Sequence, residues 1–487
     1  MKYTYNHQAF LRPEIGLLTE AQLHKIHLAA LEILEETGVR FFDNEAVNIL
    51  SSSGAYVEND NIVKIPSYMV NEALRTLPDK ILISNRKGEH ALALEGMNVY
   101  WGTGTDTPHI IDPYTQKRRK TDKKDVGKAA LLCDYLSNID FVGSMAVSYD
   151  VPQKVSDRYQ FVEMLKNTVK PILFTAWDKN GLSDIYEMCV AVAGSEENFK
   201  KNPFILHYSE PSSPLQHSVE ATQKLLFCAE KRIPLIYVSA PVSGASAPVT
   251  IAGSLLISTA EWLSAAVLHQ LKNRGAPLIF GGGNAPLDMK TSMALYSDPT
   301  IRLHGIALKK MASYYGIPDF SEGGCSDAKI FDQQAASEAT FSLLTAGLAG
   351  CNLVHDVGYI ESGLTASYEE IIFSNDVIEK IKIFLNGIDI SEDSMALSVI
   401  KDVGPGGNFL GVEHTMKHFK KSLWYPEFFN RDSYDGWMKK GGKPLGEVLN
   451  EKVKWILENH KPELLEKNVL DEIERILKIA EKSNNSQ

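Results

Sequence analysis

The middle of the chain alternates between two kinds of segment with a regular beat, and no other feature restricts its fold as tightly. Short apolar runs end in polar or glycine-rich residues: Val99–Thr105, Phe141–Ser148, Ile172–Trp177, Phe204–Ser209, Leu235–Ala240, Leu278–Gly283, Ile317–Ser321 and Asn352–Tyr359. Between them lie longer amphipathic stretches, among them Lys124–Leu136, Arg158–Asn167, Ser218–Lys231, Ala252–Asn273, Arg302–Tyr315 and Gln333–Ala349. Runs this short with apolar helices between them read as parallel strands joined by right-handed crossovers. The pattern predicts an α/β chain of the (β/α)8 TIM-barrel class, with a doubly wound open sheet as the alternative. Residues 1–95 read as an N-terminal helical and α+β extension, residues 96–368 as the barrel core, and residues 369–487 as a helical and loop extension packed on it. The N-terminal extension opens with a helix over Leu18–Gly38, capped by Thr19 and stopped by Gly38.

A barrel carries its chemistry at the C-terminal ends of its strands, so the residues just past each run are the ones to inspect. They are rich in polar and aromatic side chains: Asp106, Tyr149, Trp177, Glu210, Asn284, Glu322, Asp327, His355 and Asp356. Each alone serves equally as a helix cap or turn former, and the argument rests on their convergence. The net charge of −11 excludes a partner such as nucleic acid that must be gripped by a basic face. The five cysteines stand far apart without a Cys-x-x-Cys pair, which fits a reducing compartment. The longest apolar stretches, near Ile251–Leu271 and Ile371–Leu385, carry Glu261 and His269 or Asp376 and Lys380. Neither reads as a membrane span, and Met1–Ile15 has no apolar signal core, so a cytoplasmic chain is expected.

Several blocks together carry a family likeness. Tyr100-Trp101-Gly102-Thr103-Gly104, His207-Tyr208-Ser209-Glu210-Pro211, Gly323-Gly324-Cys325-Ser326-Asp327-Ala328-Lys329, His355-Asp356-Val357-Gly358-Tyr359 and Gly404-Pro405-Gly406-Gly407 resemble the trimethylamine:corrinoid methyltransferase family. The sequence contains no pyrrolysine, so it resembles the branch without that residue, whose members demethylate quaternary amines such as glycine betaine, proline betaine or carnitine. The resemblance implies a one-carbon enzyme that moves a methyl group from a quaternary amine to a cobalamin. It implies that this corrinoid is carried by a partner protein docked over the barrel mouth. In that reading His355, Glu210 and Asp106 are the catalytic candidates, with His355 holding polar atoms of the substrate and Asp356 orienting it. A quaternary nitrogen has no N–H to donate, so aromatic faces must grip it. Tyr100 and Trp101 are the first choices for that cage, then Tyr208 and Trp177, with Tyr149, Tyr237 and Tyr359 behind them. Gly104, His207, Asn284 and Asp356 complete the substrate-binding set. Gly324, Ser326 and Gly406 are expected to face the corrinoid.

The remaining features stay open. No histidine has an aspartate two residues before it, so the chain lacks the Asp-x-His-x-x-Gly segment of cobalamin-binding domains, and the corrinoid is expected on a separate protein. His414 and His418 stand four apart, a helical spacing for a metal pair, but no third ligand is near in sequence, and no metal is expected. The glycine loops Gly281–Gly283 and Gly404–Gly407 lack dinucleotide or P-loop spacing. The segment from Gly404 to Trp437 reads either as a docking rim or as a permanent brace. Cys325 serves as a nucleophile only with a histidine in reach. A homo-oligomer without nucleic-acid or membrane partners is expected. A non-catalytic binder of methylated amines and a metal-dependent barrel lyase remain the alternatives.

Overall fold

The computed structural model describes residues 12–485. Seven strands form one parallel sheet in the spatial order Tyr100–Thr103, Leu353–Val357, Asp319–Glu322, Leu278–Gly282, Leu235–Ser239, Ile205–Ser209 and Ile172–Phe174. Its two edges meet through a segment too short to count as a strand. Gly102 bridges Phe141 on one side, and Val142 bridges Ile172 on the other, both in parallel. The sheet is therefore closed, and the strand order is that of a (β/α)8 barrel. The run Phe141–Ser148 was expected to be a full strand. It gives the barrel only Phe141 and Val142; beyond them Met145 takes a positive φ of 56° and the chain turns aside, where Ala146 bridges Thr107.

The helices alternate with the strands as the sequence pattern requires: Lys123–Tyr135, Ser156–Asn167, Lys179–Ala193, Val219–Lys231, Ile251–Lys272, Pro299–Tyr315, Gln333–Ala349 and Tyr368–Leu385. The last of these follows the final strand and packs against Gln333–Ala349, so the barrel runs on past residue 368 to Leu385. Helix Ile251–Lys272 is long and apolar enough to cross a membrane, yet most of it is buried inside the fold. Its Glu261 is satisfied there: the carboxylate accepts from Ser213 Oγ at 2.8 Å, from Leu215 N at 2.7 Å and from Ser239 Oγ.

The N-terminal extension seals the bottom of the barrel. Thr19 caps the helix Glu20–Glu32 in a capping box with Gln22, and Gly38 ends the following π-turn with φ of 78°. Strand Val39–Phe41 then pairs in parallel with Gln216–His217, which lies in a loop of the barrel, so the extension is stitched into the barrel itself. The hairpin of Ile81–Ser84 and His90–Leu94 drives Ile81, Ile83, Leu92 and Leu94 against the lowest interior layer. That layer takes one side chain from each barrel position: Tyr100, Phe141, Leu173, Leu206, Ile236, Ile279, Phe320 and Leu353. After the barrel, helix Leu445–Asn459 buries Leu449, Val453 and Ile456 against Tyr368–Leu385 and Lys123–Tyr135. Helix Lys467–Asn485 lies along Lys179–Ala193.

A buried ion pair locks the floor. Lys309 Nζ donates to Asp319 Oδ1 at 2.7 Å, to Gly96 O at 3.1 Å and to Asn352 Oδ1 at 3.2 Å. Asn352 N in turn donates to Asp319 Oδ1 at 3.0 Å, so the starts of two adjacent strands and the N-terminal hairpin share one network. Removing one partner of a buried pair leaves the other charge uncompensated. Lys309→Ala is expected to cost about 3–5 kcal/mol in denaturant unfolding, with partial recovery in the Lys309→Met/Asp319→Asn double variant. A single-variant loss near that of an ordinary surface substitution would contradict this account.

Candidate active site

One pleat above the sealed floor, the inward positions change character. Leu173 is followed by Thr175, Leu206 by Tyr208, Ile236 by Val238, Ile279 by Gly281, Phe320 by Glu322, and Leu353 by His355. Side chains alternate along a strand, so each second residue stands directly above the apolar floor. A cavity of about 490 Å³ opens there, at the C-terminal ends of the strands. Its walls include Asp106, Thr175, Tyr208, Glu210, Lys224, Tyr296, Glu322, His355, Asp356 and Tyr359.

His355 is fixed from two sides. Its ring stacks on Phe320 at 4.1 Å between centroids, and Asp356 Oδ1 lies 2.6 Å from its Nδ1. Nε2 is thus the ring nitrogen left for a ligand. Asp356 reaches this place because the strand bulges between Val354 and Val357, giving Asp356 a φ of 77°. An aspartate tolerates that left-handed conformation better than most residues, and a bulge is a usual means of re-aiming a side chain beside a site. Tyr208 stands next to the histidine, 6.2 Å between centroids, and its hydroxyl donates to Glu210 Oε1. Tyr359 donates its hydroxyl to Thr105 O, and Gly104 leaves the room for its ring: a Cβ at Gly104 would fall 2.3 Å from Tyr359 Cζ.

The cavity is rich in carboxylates. Asp106 accepts from Thr175 Oγ1 at 2.8 Å and from Ser144 Oγ at 3.3 Å. Glu322 has Arg302 Nη2 at 3.4 Å, and the Arg302 Nη1 donates to the Glu322 carbonyl at 2.9 Å. Burial pushes the carboxyls of Asp106 and Glu322 above their ordinary range; in Glu322 the neighbouring Asp356 adds to the rise, while Arg302 and His355 oppose it. The Glu210 carboxyl, reached by solvent through the mouth but walled in by protein, is also raised by burial, against the pull of Tyr208 and His355. Burial lowers the pKa of Lys224, whose ammonium donates to Ala176 O at 2.7 Å. Donor atoms of Glu322, His355 and Asp356 lie within 4.8 Å of one another, close enough to hold an ion, but Arg302 already offsets part of that charge.

The structure brings Asp106, Tyr208, Glu210, His355, Asp356 and Tyr359 together around the cavity and places the other candidates outside its lining. Trp101, His207 and Tyr237 occupy the alternate positions of their strands and face the helices. Trp101 is fully buried with Lys382 Nζ 5.4 Å from its ring. His207 packs on Phe174 at 4.9 Å, and burial holds its basicity well below the usual value. The Tyr237 hydroxyl lies 2.7 Å from His217 Nδ1. Tyr100 points inward but belongs to the floor, where its hydroxyl accepts from Ala93 N at 3.1 Å. Trp177, 58% exposed, donates its indole N–H to Ser156 Oγ at 3.0 Å, and Tyr149, 43% exposed, lies under Lys120; both stand outside the cavity. Asn284 accepts from Ser243 Oγ at 2.6 Å within a loop pair.

The glycine-cysteine-serine-aspartate block acts through its neighbours. Asp327 accepts from the backbone N–H groups of Tyr296 and Ser297 at 2.8 and 3.0 Å and from Ser362 Oγ at 2.7 Å. It thereby carries the Tyr296 ring to the cavity, a residue that sequence reasoning missed because it lies deep in a long loop. Ser326 turns its hydroxyl to Glu338 Oε2, 2.6 Å away, rather than to the mouth. Gly324 has a φ of 77°, a conformation that the sharp turn after Glu322 demands. Cys325 is buried, and burial pushes its thiol well up, which disfavours a thiolate nucleophile. Gly406 lies in a loop beyond the end of helix Tyr368–Leu385 and is not part of the cavity lining, and a Cβ added there would meet nothing within 4 Å.

Fold and cavity together define a closed (β/α)8 barrel with a carboxylate- and tyrosine-walled pocket at the end where such barrels do chemistry. The chain belongs to the trimethylamine methyltransferase (MTTB) family, whose model matches residues 4–484. It is 33% identical over 484 residues to trimethylamine methyltransferase MttB of Methanosarcina barkeri, covering 96% of each chain. It is 31% identical over 464 residues to MttB of Desulfitobacterium hafniense (strain DSM 10664 / DCB-2), covering 95% of this chain and 93% of the relative. A glycine betaine methyltransferase of D. hafniense (strain Y51) is 30% identical over 463 residues, covering 94% and 96%. The crystal structure of the M. barkeri monomethylamine methyltransferase MtmB superposes with a TM-score of 0.51 at 12% identity, over 93% of this chain and 90% of that one, which bears on the fold alone.

The raised carboxyls have a thermodynamic signature. A carboxyl whose folded pKa lies above its unfolded one binds its proton more readily in the folded state, so stability falls as pH rises through that window. Above the window the full burial penalty applies; below the ordinary carboxylate range both states are protonated and stability no longer changes with pH. Glu322→Gln and Asp106→Asn should therefore gain stability relative to the parent as pH rises through the window, in denaturant unfolding at a series of pH values. A difference independent of pH would show that these groups titrate normally.

Proposed function

We propose that this protein transfers a methyl group from a quaternary amine of the betaine or carnitine class to a reduced corrinoid delivered by a separate protein. The observation that carries the reading is the composition of the cavity: Asp106, Glu210, Glu322 and Asp356 converge on a space walled by the rings of Tyr208, Tyr296 and Tyr359. Such a site attracts a compact cation, and the tyrosine faces hold one that has no N–H to offer. Methylated-amine chemistry is supported by membership of the family, and quaternary donors by the glycine betaine methyltransferase among the relatives.

The corrinoid supplies the nucleophile that takes the methyl group. The chain's own residues position and select. Quaternary nitrogen leaves as a neutral tertiary amine, so the site has no proton to deliver. Tyr208, held by Glu210, and Tyr296, held through Asp327, fix the trimethylammonium head. The carboxylates balance its charge, and that balance belongs to the ground state and must be relinquished as the methyl departs. His355 Nε2 and the Lys224 ammonium are the donors available to the carboxylate or hydroxyl end of the substrate. The cavity opens at the strand ends, leaving a path along which a methyl can face outward to its acceptor.

Two measurements test this. Glycine betaine, proline betaine, carnitine, choline and trimethylamine are each incubated with the protein and reduced free cobalamin, and methylcobalamin is followed by absorbance. A quaternary donor should react and trimethylamine should not; efficient demethylation of trimethylamine would overturn the assignment. Tyr296→Leu should weaken binding of the reactive cation by about 0.5–2 kcal/mol, roughly 2- to 30-fold, and leave an uncharged tert-butyl analogue almost unaffected. Equal losses for both would mean that shape, not charge, is read by that ring.

A further inference from the structure

The segment after the last barrel helix contains three short helices, Glu392–Met395, Leu397–Val403 and Glu413–Ser422, and none of them has a buried residue. Helices shorter than about 12–15 residues are marginal in water by themselves. Side-chain contacts that join the first helix to the third centre on Asp393. His414 Nε2 lies 2.8 Å from the Asp393 carbonyl oxygen, His418 Nε2 lies 3.1 Å from Oδ2, and Lys417 Nζ pairs with both carboxylate oxygens at 3.0 and 2.8 Å. His414 and His418 share one helical face, with their rings stacked at 4.3 Å. One ligand atom from each of Asp393, His414 and His418 lies within 4.8 Å of the other two.

We propose that Asp393, His414 and His418 form a binding site for a divalent transition-metal ion, zinc by preference, that clips helix Glu392–Met395 to helix Glu413–Ser422. Two imidazoles four residues apart and one carboxylate are a donor set for zinc, with water in the fourth position. The imidazoles disfavour magnesium and calcium, which take oxygen ligands. Sequence spacing supplied only the histidine pair; the third ligand comes from about twenty residues upstream and becomes visible once the chain is folded. Closing that loop through an ion restrains a segment that has no core of its own. Lys417 competes for the same carboxylate, so it sets the affinity: the ion must displace an ammonium to bind.

The test uses the full chain, stripped with chelator and titrated with zinc chloride against a chromogenic competitor. One equivalent should bind, unaffected by excess magnesium. Asp393→Asn and each single histidine-to-alanine variant should weaken binding at least about tenfold, and Lys417→Ala should strengthen it. Limited proteolysis at Gly404–Gly407 gives an independent readout: zinc should slow cleavage of the parent and not of the His414→Ala/His418→Ala variant. These side chains are exposed or half-buried, and circular dichroism verifies that the variants stay folded. Equal zinc uptake by parent and double variant, or cleavage indifferent to zinc, would overturn the site.

Discussion

Closing a parallel sheet on itself leaves each interior layer to be filled by one residue per strand, and the rest of this molecule is arranged around that constraint. The lower layer is apolar throughout, and the N-terminal hairpin covers it from below. One pleat higher the same strands supply threonine, tyrosine, glutamate and histidine, with Gly281 leaving space beside Val238. The step from sealed floor to polar wall is thus two residues long on the strands that carry Thr175, Tyr208, Glu322 and His355. It fixes where a ligand can sit before any loop is considered. The floor must be rigid for this to work, and the Lys309–Asp319–Asn352 network holds the starts of the strands that end in Glu322 and His355.

The loops act as positioning devices more than as walls. Tyr359–Ile360, Thr365–Ala366, His109–Ile111 and Arg118–Lys120 form a small sheet across the junction of the first and last strands, and Tyr359 enters the cavity from it. Asp327 does the same for Tyr296 by accepting from its backbone. Both aromatic faces therefore depend on hydrogen bonds made outside the cavity. This is why the Gly-Cys-Ser-Asp block can matter to the site although its cysteine and serine side chains are turned away from the ligand space.

The barrel was legible in the sequence because every strand run is apolar and every helix between is amphipathic. Which residues face inward was much less legible. Strands of a parallel barrel are covered by helices on the outside, so both faces are apolar and the alternation that would reveal the register is hidden. Trp101, His207 and Tyr237 were attractive because they sit in strand ends, and each is off by a single residue from the inward face. Tyr149 and Trp177 lie past the strand ends, where the chain has already turned outward. Asp106, Glu210, His355 and Asp356 could be found because polar residues in such places had no other strand face to satisfy. Tyr296 gave no signal of its own, since its place depends on an aspartate about thirty residues later. The Phe141–Ser148 run misled because hydrophobicity does not report the positive φ at Met145.

On the proposed function, the electrostatics of the cavity would favour a permanent cation. Glu322 has Arg302 beside it, whereas Asp106 accepts from the hydroxyls of Thr175 and Ser144 and Glu210 from that of Tyr208. Burial raises these carboxyls, so each is a better proton acceptor than a carboxylate in water. A protonated tertiary amine brought among them can hand over its proton. Both partners then become neutral, and the attraction that drew the amine in is lost. A quaternary ammonium has no proton to give. It keeps its charge at every pH, and its field in turn favours the ionised form of the carboxylates around it, so ligand charge and site charge reinforce each other. On the proposed function, the same raised carboxyls that destabilise the free protein toward neutral pH would discriminate between amines that differ by one methyl group.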